Sequence, residues 1–263
     1  MMNRKPDYAN WVSKKFRMAA GIASGVALVL LLLSLLPQTT VLWTVIRAAL
    51  GIIGLLFLLL LLYMSCARWL LSYEGGGVQG KLLDHVLSFL DWNGQGRLLD
   101  IGCGSGAMTI KAAKKYPQAQ ATGMDYWGPG WDYAKSQCEQ NAQIECVADR
   151  VFFQKGDAAH LDFRDNTFDA AISNFVFHEV RTQSDKTALI REALRVIKPG
   201  GVFAFSDVYH SKSAYPDLNG MVKALSQDVA ELHFVDTREN DFTPAILRTP
   251  LIMGDMGLIY GRK

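Results

Sequence analysis

Ala19 to Leu36 is a run of 18 residues without a charge. After "PQTT" (Pro37–Thr40) comes a second apolar run, Val41 to Met64, interrupted only by Arg47. No other feature limits the fold as tightly. Hydrocarbon offers no water to unpaired backbone groups, and about 20 apolar residues cross it as a helix. Two such runs joined by a short turn predict a transmembrane helical hairpin over residues 19–66. A cleaved signal peptide fits less well, because the first run is long, no A-x-A site follows it, and the second run comes at once. Arg47 falls near the start of the second run, where it snorkels outward or precedes the span. Gly51 and Gly54 favour close helix packing but are not spaced as G-x-x-x-G, so a homodimer through the spans is allowed without being specified.

The charges give the hairpin a direction. Residues 1–73 carry seven Lys/Arg against the single acid Asp7, while the whole chain has a net charge of only +2. Arg4, Lys5, Lys14, Lys15 and Arg17 precede the first run, Arg68 and Lys81 follow the second, and the turn has no cation. The positive-inside rule therefore predicts a two-span membrane protein with both termini and the remaining domain cytoplasmic. Residues 1–18 form the cytoplasmic lead-in. Within them "YANWVSKKFR" (Tyr8–Arg17) reads either as an interfacial segment, with Trp11, Phe16 and later Trp69 in the aromatic belt, or as a charged flank. The rest of the chain is mildly acidic, which argues against nucleic acid as a partner. Cys66, Cys103, Cys138 and Cys146 form no C-x-x-C pair, so reduced structural thiols are expected and no metal site.

From residue 67 the composition changes. "YEGGGVQG" (Tyr73–Gly80) reads as a glycine-rich hinge, and Lys81–Leu90 has its apolar residues at helical spacing. Strand patterns follow at 97–101, 120–124, 151–154, 168–173 and 201–206, alternating with helical ones near 107–116, 131–144, 185–197 and 216–227. Such alternation predicts an α/β, doubly wound, mostly parallel sheet. Two further strands, near Val229–Val235 and Leu258–Arg262, lack a full helix between them. They complete seven strands with an antiparallel last one.

Ligands of such sheets lie beyond the carboxyl ends of the strands. The first strand runs into "LDIGCGSG", where Asp100 precedes Gly102, Gly104 and Gly106, with Cys103 small enough for the turn. Gly102 to Ala107 also reads as a dinucleotide fingerprint, so this loop alone leaves the nucleotide open. The second strand ends at Asp125, placed to accept ribose hydroxyls from NAD or any adenosine cofactor. The third leads into Asp157 and Ala158, placed to meet an adenine edge. The fourth ends in "SNFVFHEV".

Residues 97–207 together resemble the class I, Rossmann-like S-adenosylmethionine-dependent methyltransferases. The resemblance rests on "LDIGCGSG", Asp125, "GDA" at 156–158, "FDAAISN" at 168–174 and "IKPGG" at 197–201, in that order. It implies S-adenosyl-L-methionine as cofactor and a methyltransferase domain over 96–263. It further implies that Asp100 and the backbone of Gly102, Cys103, Gly104 and Gly106 hold the methionine end. Asp125 would take the ribose, Tyr126 would pack on adenine, Asp157 and Ala158 would meet its edge, and Asn174 would lie near the amino group and methyl.

Methyl transfer needs alignment, and a base only if the nucleophile arrives protonated. His178 and Glu179 follow the fourth strand; as neighbours on a helix only one is expected to face the pocket, and His178, titrating near neutrality, is the better base. Asp207, Tyr209 and His210 follow the fifth strand, and we expect His178 and Asp207 to be catalytic. "SNFV" stands where an N-P-P-Y-like tetrapeptide would mark nucleic-acid or protein amide acceptors, and "HEVRT" is not H-E-x-x-H. "SNFVFHEV" resembles, loosely, the methyltransferases acting on quinones, sterols and other hydrophobic small molecules. Residues 67–95 are expected to serve as linker and lid helix, with Trp127, Trp131, Tyr133, Phe175 and Phe177 adding aromatic surface. The expected acceptor is a hydrophobic small molecule or lipid at the membrane face. Competing readings are a catalytically silent scaffold of the same fold and a tethered enzyme for a soluble acceptor.

Overall fold

The computed structural model describes residues 5–35, 40–128 and 134–263. Pro37–Thr39 of the expected turn, Arg4 of the basic flank, and Trp131 and Tyr133 lie outside the described residues. The chain divides into two compact units, one of residues 10–79 and the other of the N-terminal segment up to Ala9 together with Gly80–Lys263.

In the first unit, α1 (Lys14–Ser34) and α2 (Val41–Leu71) pack on each other as an antiparallel pair. Gly54 faces Ala27, where an added Cβ would stand 3.4 Å from the alanine methyl, and Gly21 faces Leu61. Gly51 has nothing within 4 Å and is not part of the seam. Arg47 donates from Nε to the Ser34 carbonyl at 2.8 Å, so its charge meets the carbonyl-rich end of α1. At the open end, Asn10 Nδ2 donates to the Arg68 carbonyl at 2.9 Å and Arg68 to the Val12 carbonyl. Leu28, Leu32, Leu55, Leu59 and Leu62 are all exposed. Both helices are long and apolar enough to cross a membrane.

α2 runs past the expected boundary because Ala67–Leu71 are good helix formers and Arg68 suits the last turn. The glycines after it close its end: Gly76 N–H donates to the Trp69 carbonyl at 3.0 Å, and a Cβ on Gly75 would stand 2.3 Å from that oxygen. They form a C-terminal turn where a hinge was expected.

The second unit is built on a seven-stranded sheet: β1 (Gly96–Ile101), β2 (Ala119–Asp125), β3 (Val151–Lys155), β4 (Phe168–Asn174), β5 (Ile197–Asp207), β6 (Glu231–Asp236) and β7 (Gly257–Arg262). The order is β3-β2-β1-β4-β5-β7-β6, with β7 antiparallel to both neighbours. The α/β expectation holds, including the reversed last strand. β5 starts earlier than its apolar run, since Ile197 already pairs with Phe168 ahead of a register shift.

α4 (Ala107–Lys115) and α5 (Lys135–Ile144) pack against β1, β2 and β3. α6 (Lys186–Arg195) and α7 (Leu218–Leu225) associate with β5 and β6. Leu99, Ile101, Phe168, Phe203 and Phe205 alternate out of the strands into a fully buried core with Leu189, Ile190 and Leu225 of α6 and α7. α3 (Val78–Ser88) covers the segment expected as a lid helix. Its later part packs alongside α4, with Asp84 paired to Lys111 at 2.7 Å and the Leu87 carbonyl accepting from Lys115 at 2.7 Å. The order reverses between β1 and β4, which opens a crevice at their carboxyl ends.

Candidate functional site

Asp100 is the last polar residue of β1 and is wholly buried, facing α4. Thr109 donates to its Oδ2 at 2.6 Å, while Oδ1 has no partner. Burial pushes its carboxyl up to about 7; the Thr109 hydrogen bonds oppose this and the nearby Asp125 charge adds to it.

The loop beyond is held from three sides. Gly102 and Cys103 donate their N–H groups to the Met124 carbonyl at 2.7 and 3.0 Å. Gly102, Gly104 and Gly106 all have left-handed φ, between +56° and +80°. At Gly102 the need is also steric, because a Cβ would lie 2.1 Å from Val176 Cγ2. The neighbour that requires glycine here is Val176, two residues beyond Asn174. Gly104 N–H donates to Asp125 Oδ2 at 2.8 Å, and its carbonyl accepts from Trp127 Nε1 at 2.9 Å and from Cys138 Sγ at 3.1 Å. Cys103 is buried, and burial first, then Cys138 and Asp100, push its thiol well up, so it stays neutral.

Asp125 accepts two backbone N–H groups, from Gly104 and from Trp127 at 2.7 Å. Its carboxyl is still raised, by burial, against those hydrogen bonds. Each oxygen keeps a lone pair for a hydroxyl. Tyr126 is 61% exposed, with Lys155 Nζ 5.2 Å from its ring centroid. Asp157 Oδ1 accepts from Ala159 N–H at 2.9 Å and from Thr182 Oγ1 at 3.2 Å, and Ala158 is buried. Asn174 ends β4 one step beyond the Ser173–Ile101 pair, which sets it beside Gly102; its Oδ1 is buried without a partner. Two orphaned buried oxygens, on Asp100 and Asn174, thus flank a glycine cradle. Such atoms fit a cationic, donor-bearing group.

The other half of the site lies at the ends of β4 and β5. Residues 177–179 form a 3₁₀ turn, so His178 and Glu179 both engage. His178 Nδ1 bonds Asp207 Oδ1, and its Nε2 lies 3.5 Å from Glu179 Oε1. Asp207 is fully buried and also accepts from His178 N–H at 3.1 Å, Val208 N–H at 2.7 Å and Tyr215 OH at 3.0 Å. Burial pulls the imidazole down, but the hydrogen bonds to Asp207 and Glu179 outweigh it and raise His178 to about 10. The expected base titrating near neutrality is therefore a cation there. Asp207 is walled off from solvent, with His178 as its partly exposed partner.

Tyr209, Phe177 and His210 stand apart from this group. Tyr209 and Phe177 are core residues, and His210 Nε2 lies 3.4 Å from Asp236. Among the described residues no group of three or more His, Cys, Asp or Glu could hold a metal ion. Sequence reading missed Thr109, Val176 and Tyr215, which act by position; none carries a motif of its own, since each is recognised only by the partner it meets in the fold.

Residues 99–205 match the family model described as a methyltransferase domain. The fold and the glycine loop of this part of the chain are those of class I methyltransferase domains. Among curated relatives, a demethylmenaquinone methyltransferase of Lactiplantibacillus plantarum is 38% identical over 104 residues, 39% of this chain and 41% of that protein. A 27-O-demethylrifamycin SV methyltransferase of Amycolatopsis mediterranei is 32% identical over 130 residues, 48% of this chain and 44% of that protein. The matches thus span less than half the length of these relatives. The structure of phosphoethanolamine N-methyltransferase 2 of Haemonchus contortus, in complex with S-adenosyl-L-methionine, aligns with a TM-score of 0.53 at 15% identity, over 70% of this chain and 52% of that one, and shares the fold.

Proposed function

We propose that the chain transfers a methyl group from S-adenosyl-L-methionine to a hydrophobic, quinone-type or lipid-like small molecule at the cytoplasmic face of a membrane. The observation that carries the reading is the glycine loop tied to Asp125 with the orphaned Asp100 oxygen beneath it. The similarity to a demethylmenaquinone methyltransferase supports the acceptor class, and the two apolar helices support the membrane setting. The basic flanks support the cytoplasmic orientation.

When bound, the cofactor supplies an electrophilic methyl on a sulfonium. Asp100, Asn174 and the loop of Gly102–Gly106 bind its amino-acid end. Asp125 accepts the ribose hydroxyls, while Asp157, Ala158 and Tyr126 meet the adenine. His178 carries protons on both ring nitrogens: Nδ1 is fixed by Asp207, and Nε2, only loosely paired with Glu179, is the donor offered to an acceptor oxygen. An imidazolium there would favour the ionised form of a phenol or enol whose proton has passed to solvent, so that the anion is the species held in line with the methyl. Asp207 is the positioning residue that keeps it charged.

The test is calorimetric titration of S-adenosylmethionine and S-adenosylhomocysteine into detergent-purified protein, with Asp125→Ala as control, followed by labelled methyl transfer to quinols and lipid extracts. Micromolar binding lost in the control, with label in an apolar product, is expected. Absence of binding overturns the reading in favour of a silent scaffold. Equal turnover of soluble acceptors after removal of residues 1–70 overturns the membrane-borne acceptor.

A further inference from the structure

Residues 5–9 belong to the same compact unit as the seven-stranded sheet. Asp7, Tyr8 and Ala9 lie on α5 and the glycine loop, held by a polar network with one buried hub. That hub is Asn141 of α5, 2% exposed. Its Nδ2 donates to the Asp7 carbonyl at 2.7 Å and to the Ser105 carbonyl at 3.0 Å, and its Oδ1 accepts from Asp7 N–H at 2.9 Å. Gln137 Nε2 gives the Asp7 carbonyl a second donor at 2.6 Å. Ser105 Oγ in turn donates to the Tyr8 carbonyl at 2.7 Å, and Tyr8 OH to Glu145 at 3.1 Å. Asp7 Oδ1 accepts from Ala9 N–H at 2.9 Å, folding the segment onto itself while Ala9 takes φ +55°.

Ser105 stands between Gly104 and Gly106, the two glycines that turn the loop. Both its hydroxyl and its carbonyl are engaged by this network. Without the segment, Asn141 keeps only one of its three side-chain hydrogen bonds and Ser105 Oγ loses its acceptor. Strand-end bonds still hold Gly102–Gly104, so the segment adjusts the loop at Ser105.

We propose that Asp7, Tyr8 and Asn141 are positioning residues for the glycine loop, so that docking of residues 7–9 and occupation of the cofactor site are one coupled equilibrium. The inference rests on the reading that this loop holds the adenosyl cofactor. Coupling is reciprocal: whatever the docked segment adds to cofactor affinity, the cofactor adds to docking. In sequence, the segment runs into the first apolar helix five residues after Ala9, so the state of the chain entering the membrane is read by the cofactor site.

The experiment uses the full chain in detergent. S-adenosylhomocysteine is titrated into wild type, Asn141→Asp and Gln137→Ala, and amide hydrogen exchange is followed at residues 7–9 with and without it. Asn141→Asp keeps an acceptor for Asp7 N–H but sets a carboxylate against two carbonyls. Binding is expected to weaken roughly tenfold in Asn141→Asp and about two- to threefold in the surface variant Gln137→Ala. The ligand should slow exchange at Asp7 and Ala9 in wild type and lose that effect in Asn141→Asp. Gln137→Ala keeps the test decisive if Asn141→Asp does not fold. Unchanged affinity in a folded variant whose residues 7–9 exchange fast overturns the coupling, as does exchange at 7–9 indifferent to ligand in wild type. Absence of binding by wild type overturns the functional reading and this inference with it.

Discussion

The two halves of the site are held by different kinds of interaction. At the ends of β1 and β2, position is fixed by the backbone: Gly102, Cys103, Gly104 and Trp127 all spend their N–H groups on neighbouring strand ends. At the ends of β4 and β5, position is fixed by charge, with His178 between a buried carboxylate and an exposed one. The first arrangement tolerates almost no change of shape and depends on protons only through its two acids, Asp100 and Asp125. The second tolerates shape and depends on protonation throughout. A loop that holds one cofactor benefits from the former; a wall that must activate one acceptor among many chemistries needs the latter.

The sharpest way to break this contrast is Gly102→Ala. A left-handed φ costs a non-glycine residue about 1–3 kcal/mol, and the added methyl also meets Val176. S-adenosylhomocysteine affinity should fall roughly 100-fold by calorimetry. Adding Val176→Ala should restore part of it, and no recovery would show that backbone strain alone carries the loss.

Asp207→Asn comes next and acts on the other half. It should lower kcat about 10- to 100-fold with cofactor Kd unchanged. In wild type the folded His178 lies above its unfolded value, so its contribution to stability is full below pH 6.5 and is lost as pH rises from there through about 10. Denaturant unfolding from pH 6 to 10 should show that decline, and the variant should flatten it. A kcat at saturating cofactor that instead climbs between pH 6 and 7 would return His178 to the role of base.

Asp100 tests how far the backbone half depends on protons. Raised to about 7, it is half protonated at neutrality, so cofactor affinity should tighten several-fold from pH 6 to 8 as it ionises beside a cationic ligand. Asp100→Asn should remove that slope. The smallest effect is expected at exposed Tyr126, where Tyr126→Leu should weaken cofactor binding only about two- to threefold.

These halves were unequally legible in the sequence. Strand ends, glycines and their acids recur at spacings that hydrophobic alternation and turn chemistry dictate, so Asp100, Gly102 and Asp125 could be placed from the letters alone. Both apolar helices were equally plain. What stayed hidden was every partnership across long separations. Nothing near Val176 announces that it faces Gly102. The charge of His178 was misjudged for the same reason: its ordinary titration is a local property, whereas its raised one depends on Asp207, 29 residues away. The glycines after α2 read as a hinge from composition, which does not reveal the backbone bonds that close the helix end there.

The contact between Gly102 and Val176 has a consequence for how such a site can diversify. Val176 lies just beyond β4, yet it is braced against the glycine loop. A bulkier residue at this position would press on Gly102 and move the loop, so a change made on the β4 side of the crevice is felt on the β1 side. The wall can be rewritten only so far as it keeps its fit where it leans on the loop.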